Sequence, residues 1–223
     1  MRKRLKLASG IFIVYMLMFQ TAVASGLSYS GKTEIWDNPF VAFGFNPKTN
    51  FLSGYVAALR TAPGRTDECK LVFAGNYNKS NILSVKYLNE DNGSDQIRNA
   101  KASAAVVQEG REYFLRLRKD SLGGECEWIL PFIGEPRVHE NANEVAISLG
   151  KSDPGKWVGV YAIKSARAKF HKTPIGTSVQ KAFLVKGDII FVFDEQGDWY
   201  YVEFERKDRK TVGWIRKSDT VQF

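Results

Sequence analysis

The sequence predicts an all-β protein, and three observations support this prediction. Short apolar segments alternate with turn signals about every 8–12 residues. No segment of the mature chain repeats apolar residues at a spacing of 3.6 over three turns. The composition is 44% hydrophobic and 13% aromatic with only 25% charged residues, which is typical of folded chains. We therefore expect an antiparallel β-sandwich or barrel-like domain, followed by a small β-barrel.

The N-terminus predicts export. Basic residues in "MRKR" precede the apolar run Ile11–Phe19, and the small residues Ala22 and Ala24 follow it. This order is typical of a secretory signal peptide, and the run is shorter than the roughly 20 residues of a membrane span. We expect residues 1–24 to be removed, which leaves a periplasmic or secreted protein without a membrane span. An uncleaved N-terminal anchor is the alternative.

The first predicted strands form a hairpin. The segments "FVAFGF" and "FLSGYVAAL" flank "NPKTN", whose proline and asparagines favour a turn. The next predicted strands are "CKLVFAG", "NILSVKYL", "KASAAVV" and "REYFLRLRK", with "NEDNGSD" as a further turn. In the last of these strands Tyr113, Leu115 and Leu117 share one face, which predicts that this face is buried.

The strand pattern weakens in "SLGKSDPGKW", Ser148 to Trp157. Glycine, serine, aspartate and proline cluster here, as they do in linkers. We expect residues 25–155 to form a disulfide-linked β domain of unknown function and residues 156–223 to form a second domain.

The two cysteines, Cys69 and Cys126, both lie in the predicted mature chain. An oxidising compartment makes a disulfide between them the expected state. A metal site or a catalytic thiol is the alternative, but neither cysteine has a neighbouring histidine and no C-x-x-C spacing occurs. Both cysteines look like strand residues rather than residues at the start of a helix.

The net charge of +8 is unevenly distributed. Four of the positive charges belong to the predicted signal peptide, while residues 25–155 carry 15 basic and 16 acidic side chains. Residues 156–223 carry 13 basic and 8 acidic side chains. A basic exported domain favours an anionic wall polymer, a lipid surface or an acidic protein as a partner. Export argues against nucleic acid.

The C-terminal part has the densest strand signals. "ARAKFHKTP" begins a strand that ends at Pro174, and "KAFLVKGDIIFVFDEQGDWYYVEF" contains two tight turns between apolar strands. "RKDRKTVGWIRKSD" adds a charged turn, the short strand "GWI" and a terminal turn. Five short strands of this kind predict a small barrel.

These motifs resemble the bacterial SH3 domain. The shared elements are a Lys-Gly-Asp turn, a Gly-Asp-Trp strand start and a Gly-Trp strand before a polar turn, and the resemblance covers roughly residues 164–221. The resemblance implies a non-catalytic binding module, often of the cell envelope, whose members bind peptidoglycan or protein partners or are architectural. It does not extend to the N-terminal domain.

The stretch "DWYYVEF" divides by strand parity. Tyr200, Val202 and Phe204 share one face and are predicted to lie in the barrel core, whereas Trp199 and Tyr201 share the other face with glutamates and are predicted to meet solvent. Trp214 is predicted to point outward because its neighbour Ile215 suits the core.

Exposed aromatics suit peptides or sugars, so the candidate binding residues are Trp199, Tyr201 and Trp214, with Phe170 and Tyr161 completing an aromatic strip. Packing of this face against the N-terminal domain is the alternative. The candidate basic rim comprises Lys169, Lys172, Lys181, Arg216 and Lys217.

The sequence offers no catalytic set. Its only histidines are His139 and His171, and no G-x-S-x-G motif occurs. His139 and Glu140 are predicted to lie in a surface loop rather than in a metal site, since zinc needs three side-chain ligands. The acid pairs Glu90/Asp91 and Glu125/Glu127 lie in predicted turns or straddle a cysteine. We expect no enzyme activity, no metal and no cofactor.

These observations predict a non-catalytic envelope binding protein whose SH3-like module contacts a peptidoglycan fragment or a wall-associated protein. The alternatives are a periplasmic inhibitor or immunity protein against a secreted wall-degrading toxin, and an enzyme with its site in the N-terminal domain. The sequence does not predict the oligomeric state.

Overall fold

The computed structural model of the protein confirms the all-β fold. It describes residues 27, 30–33, 38–77, 82–88, 98–110, 112–123, 125–132, 138–140, 143–149, 153–207, 209–221 and 223. The predicted signal peptide, the acid pair Glu90/Asp91 and the whole turn "NEDNGSD" lie outside these residues. In the described part of the chain, the strands belong to two sheets in which all neighbours are antiparallel.

The first sheet is large, curled and antiparallel. Its strands within the described ranges are β1 (Ser30–Lys32), β2 (Phe40–Asn46), β3 (Phe51–Ala62), β4 (Arg65–Asn76), β5 (Ile82–Tyr87), β6 (Arg98–Glu109), β7 (Glu112–Arg118), β8 (Val138–Glu140), β9 (Glu144–Ser148) and β10 (Asp153–Gly155). Their order is β10-β1-β2-β3-β4-β5-β6-β7-β9-β8. The predicted first hairpin is confirmed as β2 paired with β3.

The second sheet is smaller. Its strands within the described ranges are β11 (Gly159–Ala162), β12 (Ala168–His171), β13 (Val179–Leu184), β14 (Ile189–Gln196), β15 (Trp199–Arg206) and β16 (Arg209–Arg216). Their order is β11-β14-β15-β16-β12-β13. The prediction of five strands was wrong, because β11 adds a sixth by pairing with β14. The predicted short strand "GWI" is the end of the longer strand β16.

Strand alternation distributes the apolar side chains over three cores. The first core lies on one face of the ten-stranded sheet and includes Phe43, Leu71 and Leu115. The second lies inside the six-stranded sheet and includes Phe170 and Ile215. The third core lies between the two sheets and comprises Ala42, Tyr55, Val72, Trp157, Val160, Ala162, Phe191 and Val221. Adjacent residues such as Ala42 and Phe43 therefore enter different cores.

A disulfide joins Cys69 in β4 to Cys126. Cys126 begins a short helix, α1 (Cys126–Ile129), so the expectation that both cysteines lie in strands was wrong for this residue. Burial explains the helix, because Cys126, Ile129 and Leu130 are all buried and their spacing of three and four residues puts them on one helical face.

The two sheets meet closely at two glycines. A Cβ atom added to Gly44 in β2 would lie 2.4 Å from the Cα of Gly159 in β11, so only glycine permits this approach. Nearby, the backbone amide of Val160 donates a hydrogen bond of 3.0 Å to Ser53 Oγ. The Trp157 indole donates one of 2.8 Å to the carbonyl of Phe43. The chain passes from one sheet to the other between β10 and β11.

An ion pair also joins the sheets. Lys32 Nζ in β1 donates to Glu205 Oε2 in β15 at 2.7 Å, and both side chains are largely buried. Lys210 contacts the other carboxylate oxygen at 2.8 Å. Burial by itself raises the pKa of Glu205, but the hydrogen bonds from Lys210 and Lys32 outweigh it and lower the pKa from 4.5 to about 2.

Candidate ligand-binding face

The outer face of the six-stranded sheet carries one row of side chains across four strands. Tyr201 in β15 lies opposite Trp214 in β16, Trp214 lies opposite His171 in β12, and His171 lies opposite Val179 in β13. Directly opposite residues of antiparallel strands project from the same face. We call these four residues the cross-strand row.

Tyr201 and Trp214 form the half-buried aromatic end of this row. Their ring centroids are 5.4 Å apart and the ring planes are inclined by 53°, a tilted arrangement that aromatic pairs favour. The predicted orientation of Trp214 is confirmed, because Ile215 is buried in the core. Tyr201 and Trp214 are therefore partly accessible and held against each other.

Trp199 lies on the same face but is buried. Its exposed fraction is only 6%, so the prediction that it meets solvent was wrong. Arg216, its partner in the register, places its guanidinium 4.6 Å from the ring centroid, and His171 packs edge-on against it at 4.8 Å. A Cβ added to Gly176, in the loop between β12 and β13, would lie 3.8 Å from the ring. Local side chains and this loop therefore cover Trp199.

His171 is the buried polar member of the row. Its relative exposure is 9%, and Nδ1 has no hydrogen-bond partner among the described residues. Its ring contacts Trp199. Gln180 Nε2 donates to the backbone carbonyl of His171 at 3.4 Å, which links β13 to β12.

Phe170 and Tyr161 do not extend the aromatic strip. Phe170 is 1% exposed and lies in the core of the six-stranded sheet, because it has the opposite parity to His171. Tyr161 lies in β11 and stacks on Tyr200, with centroids 5.1 Å apart and planes inclined by 20°. The predicted strip of five aromatics is therefore wrong as a single surface.

Tyr161 belongs instead to a cleft where the two sheets meet. A cavity of about 260 Å³ is lined there by Asn46 and Phe51 of the first sheet and by Tyr161 and Tyr200 of the second, among others. Burial raises the pKa values of both tyrosines. The Tyr161 hydroxyl is in hydrogen-bond contact with Tyr200 and Ser53, so the tyrosines join the sheets.

The candidate basic rim is only partly open. Lys169, Lys172 and Lys181 are exposed. Lys217 pairs with Glu195 at 2.9 Å and lies 5.0 Å from the Tyr200 ring centroid, while Arg216 covers Trp199. The exposed cations of the rim that contact no aromatic ring in this way lie on β12, β13 and the loop between them, whereas the exposed Arg216 stacks on Trp199.

Other candidate residues lie away from this face. The backbone of His139 lies in strand β8, so the prediction of a surface loop was wrong. Glu125 Oε2 accepts a hydrogen bond of 3.2 Å from the backbone amide of Glu68. Within the described ranges, no group of three or more His, Cys, Asp or Glu side chains is placed to hold a metal ion.

One exposed aromatic was missed by the sequence analysis. Trp128 in α1 is 64% exposed, and its position between the buried residues Cys126 and Ile129 would have indicated its outward direction once the helix was known. It lies beside the ten-stranded sheet, away from the cross-strand row.

No known protein family, curated protein or solved structure matches this chain. None of the helices in the described part of the chain has the length and hydropathy that a membrane crossing requires.

Proposed function

We propose that this protein is a non-catalytic binding protein of the cell envelope and that the outer face of its six-stranded sheet contacts peptidoglycan or a wall-associated protein. The observation that carries the proposal is the half-buried pair Tyr201 and Trp214, whose ring centroids lie 5.4 Å apart in the cross-strand row. Such aromatics contribute a large contact area at a low cost in side-chain entropy.

The support around Trp214 favours binding over simple exposure. Trp199 packs between Arg216 and His171 on the same face, so the surface around the pair is already formed in the free protein. A preformed surface lowers the cost of ordering on binding. The exposed Lys169 and Lys172 supply positive charge that favours the carboxylates of peptidoglycan stem peptides.

The resemblance to the bacterial SH3 domain supports the same function. Its Gly-Asp turn at residues 197–198 joins the neighbouring strands β14 and β15, whereas its Lys-Gly-Asp turn at residues 186–188 connects β13 to β14, which are not neighbours in the sheet. The predicted signal peptide would export the protein, so the proposed ligand is one that occurs in the envelope.

The test is co-sedimentation of the purified mature protein with sacculi. We expect Trp214→Ala and Tyr201→Ala to weaken binding about tenfold, because the loss of a central aromatic contact costs more than about 1 kcal/mol. The matched control is Trp128→Ala, which removes an exposed tryptophan elsewhere and should leave binding within about twofold of the parent. Circular dichroism should be unchanged in all three variants.

Two preparations distinguish the ligands. Sacculi boiled in detergent and treated with protease contain the polymer alone, whereas untreated envelope fragments retain their proteins. Binding to both preparations supports peptidoglycan, and binding to untreated fragments alone supports a protein partner. The proposal fails if the parent binds neither preparation, or if Trp214→Ala and Tyr201→Ala bind as tightly as the parent.

A further inference from the structure

Strand β13 is an edge of the six-stranded sheet. It pairs with β12 on one side, and no strand of the described chain pairs with its other side. An edge strand presents backbone N–H and C=O groups that can pair with an added strand. Its side chain Val179 belongs to the cross-strand row, but the unpaired backbone of this edge is distinct from the pair Tyr201 and Trp214.

The side chains of β13 alternate between a buried and an open face. Leu184 is buried and Ala182 packs against the core, whereas Val179, Lys181 and Phe183 are exposed. The exposed fractions of Val179 and Phe183 are 49% and 46%. Two accessible apolar side chains therefore flank a lysine along one face of an open edge.

The chain segment that contains this edge is basic. Residues 164–187 contain six basic side chains and no acidic side chain, while the nearby Asp188 and Asp219 accept hydrogen bonds from the backbone of Val185 and the hydroxyl of Ser165. The basic side chains are Lys164, Arg167, Lys169, Lys172, Lys181 and Lys186. The charge identifies the kind of occupant, because a second copy of this edge would bring like charges together whereas an acidic segment would be attracted.

Arg167 supports an acidic occupant at Phe183. Its guanidinium lies 4.1 Å from the Phe183 ring centroid, an arrangement that fixes both the ring and the positive charge. An apolar side chain on the added strand would meet Phe183, and an adjacent carboxylate would meet Arg167 or Lys181.

We propose that β13 binds an extended segment of an acidic partner protein, which adds to the six-stranded sheet as a further strand. Directly opposite residues share a face. The exposed Val179, Lys181 and Phe183 therefore require an apolar, an acidic and an apolar side chain on that segment, each two residues after the previous one. Main-chain hydrogen bonds provide affinity in this mode of recognition, and the side-chain pattern provides specificity. The proposal goes beyond the binding face described above and stands or fails separately from it.

The test uses fluorescence anisotropy with the mature full-length protein and a labelled peptide, Ser-Val-Thr-Glu-Thr-Val-Ser. The comparison peptide replaces its glutamate with lysine. We expect the acidic peptide to bind, the basic peptide to bind at least about tenfold more weakly, and added salt to weaken the binding of the acidic peptide. Hydrogen exchange should show new protection of backbone amides in β13 when the acidic peptide is bound.

Two variants locate the site. Lys181→Glu should weaken binding of the acidic peptide about tenfold. The matched control is Lys48→Glu, which reverses the charge of an exposed lysine in the turn between β2 and β3 and should change binding by less than about twofold.

Several results overturn the proposal. They are no binding of the acidic peptide, equal binding of both peptides, equal effects of the two charge reversals, or binding without new amide protection in β13. Association with anionic phosphatidylglycerol vesicles in the absence of peptide binding would also overturn it, and would identify the basic surface as a lipid contact.

Discussion

The two sheets differ in how much of their surface they bury. In the ten-stranded sheet, one face packs against a disulfide-linked core, and alternate residues of β2, β3 and β4 pack against the second sheet. The six-stranded sheet buries one face in its own core and only part of its other face, where Val160, Ala162 and Phe191 pack against the first sheet. The rest of that other face carries the half-buried Tyr201 and Trp214, and the edge strand β13 exposes apolar side chains.

The ten-stranded sheet holds the disulfide and the larger core. The six-stranded sheet leaves the apolar side chains Val179 and Phe183 and several lysines accessible. The junction at Gly44, Gly159 and the Lys32–Glu205 ion pair makes the second sheet depend on the first.

The largest expected loss of stability comes from removing the disulfide of the first sheet. The disulfide closes a loop of 57 residues, so Cys69→Ala combined with Cys126→Ala should lower the free energy of unfolding by about 3–4 kcal/mol. Urea titration measures this loss. Reductant should destabilise the parent but leave the double variant unchanged, and a parent that is equally stable with and without reductant would contradict the prediction.

A smaller loss of stability is expected from a substitution that disturbs the contact between the two sheets. In Gly44→Ala the new methyl group would overlap the backbone of Gly159, which cannot move aside cheaply, so we expect a loss of about 3 kcal/mol. Gly123→Ala is the control, because its nearest neighbour would be a Tyr87 ring atom at an ordinary 3.7 Å. Thermal unfolding compares the two variants, and equal melting temperatures would show that the close approach is unimportant.

The smallest expected effect depends on pH. The folded-state pKa of Glu205 is about 2 and its ordinary value is 4.5, so its contribution is present above pH 4.5 and is lost as the pH falls toward 2. Glu205→Gln should therefore cost about 2 kcal/mol at pH 7 and much less near pH 2. Glu127→Gln, at an exposed carboxylate, should change little at either pH. A pH-independent difference between parent and Glu205→Gln would refute the assignment.

Much of the strand pattern could be predicted because it depends on local chemistry. Asn50 and Gly197 adopt positive φ values in the two turns that the sequence predicted at these positions. The inner positions Tyr113, Leu115 and Leu117 are buried as strand alternation predicts. The helix at Cys126 could not be predicted from so short a segment, because burial and the bond to Cys69 define it.

The candidate site was predicted in part. Parity correctly assigned Tyr200 and Val202 to the core and placed Trp199 on the face of Tyr201. It could not predict the exposure of Trp199, because the covering groups, Arg216, His171 and the loop at Gly176, come from other parts of the chain. The register of β15 with β16 and the position of β12 place these groups against Trp199.

The sequence by itself determined the all-β class, the main turns, the partition of "DWYYVEF" into two faces and the basic character of residues 156–223. These properties follow from side-chain alternation, turn chemistry and charge, which act over a few residues. Only the tertiary structure decided which aromatics stay accessible, that Tyr161 joins the two sheets, and that β13 lies at an edge. Those outcomes depend on which distant strands become neighbours, because burial is set by the groups that pack on a side chain and not by its place in the chain.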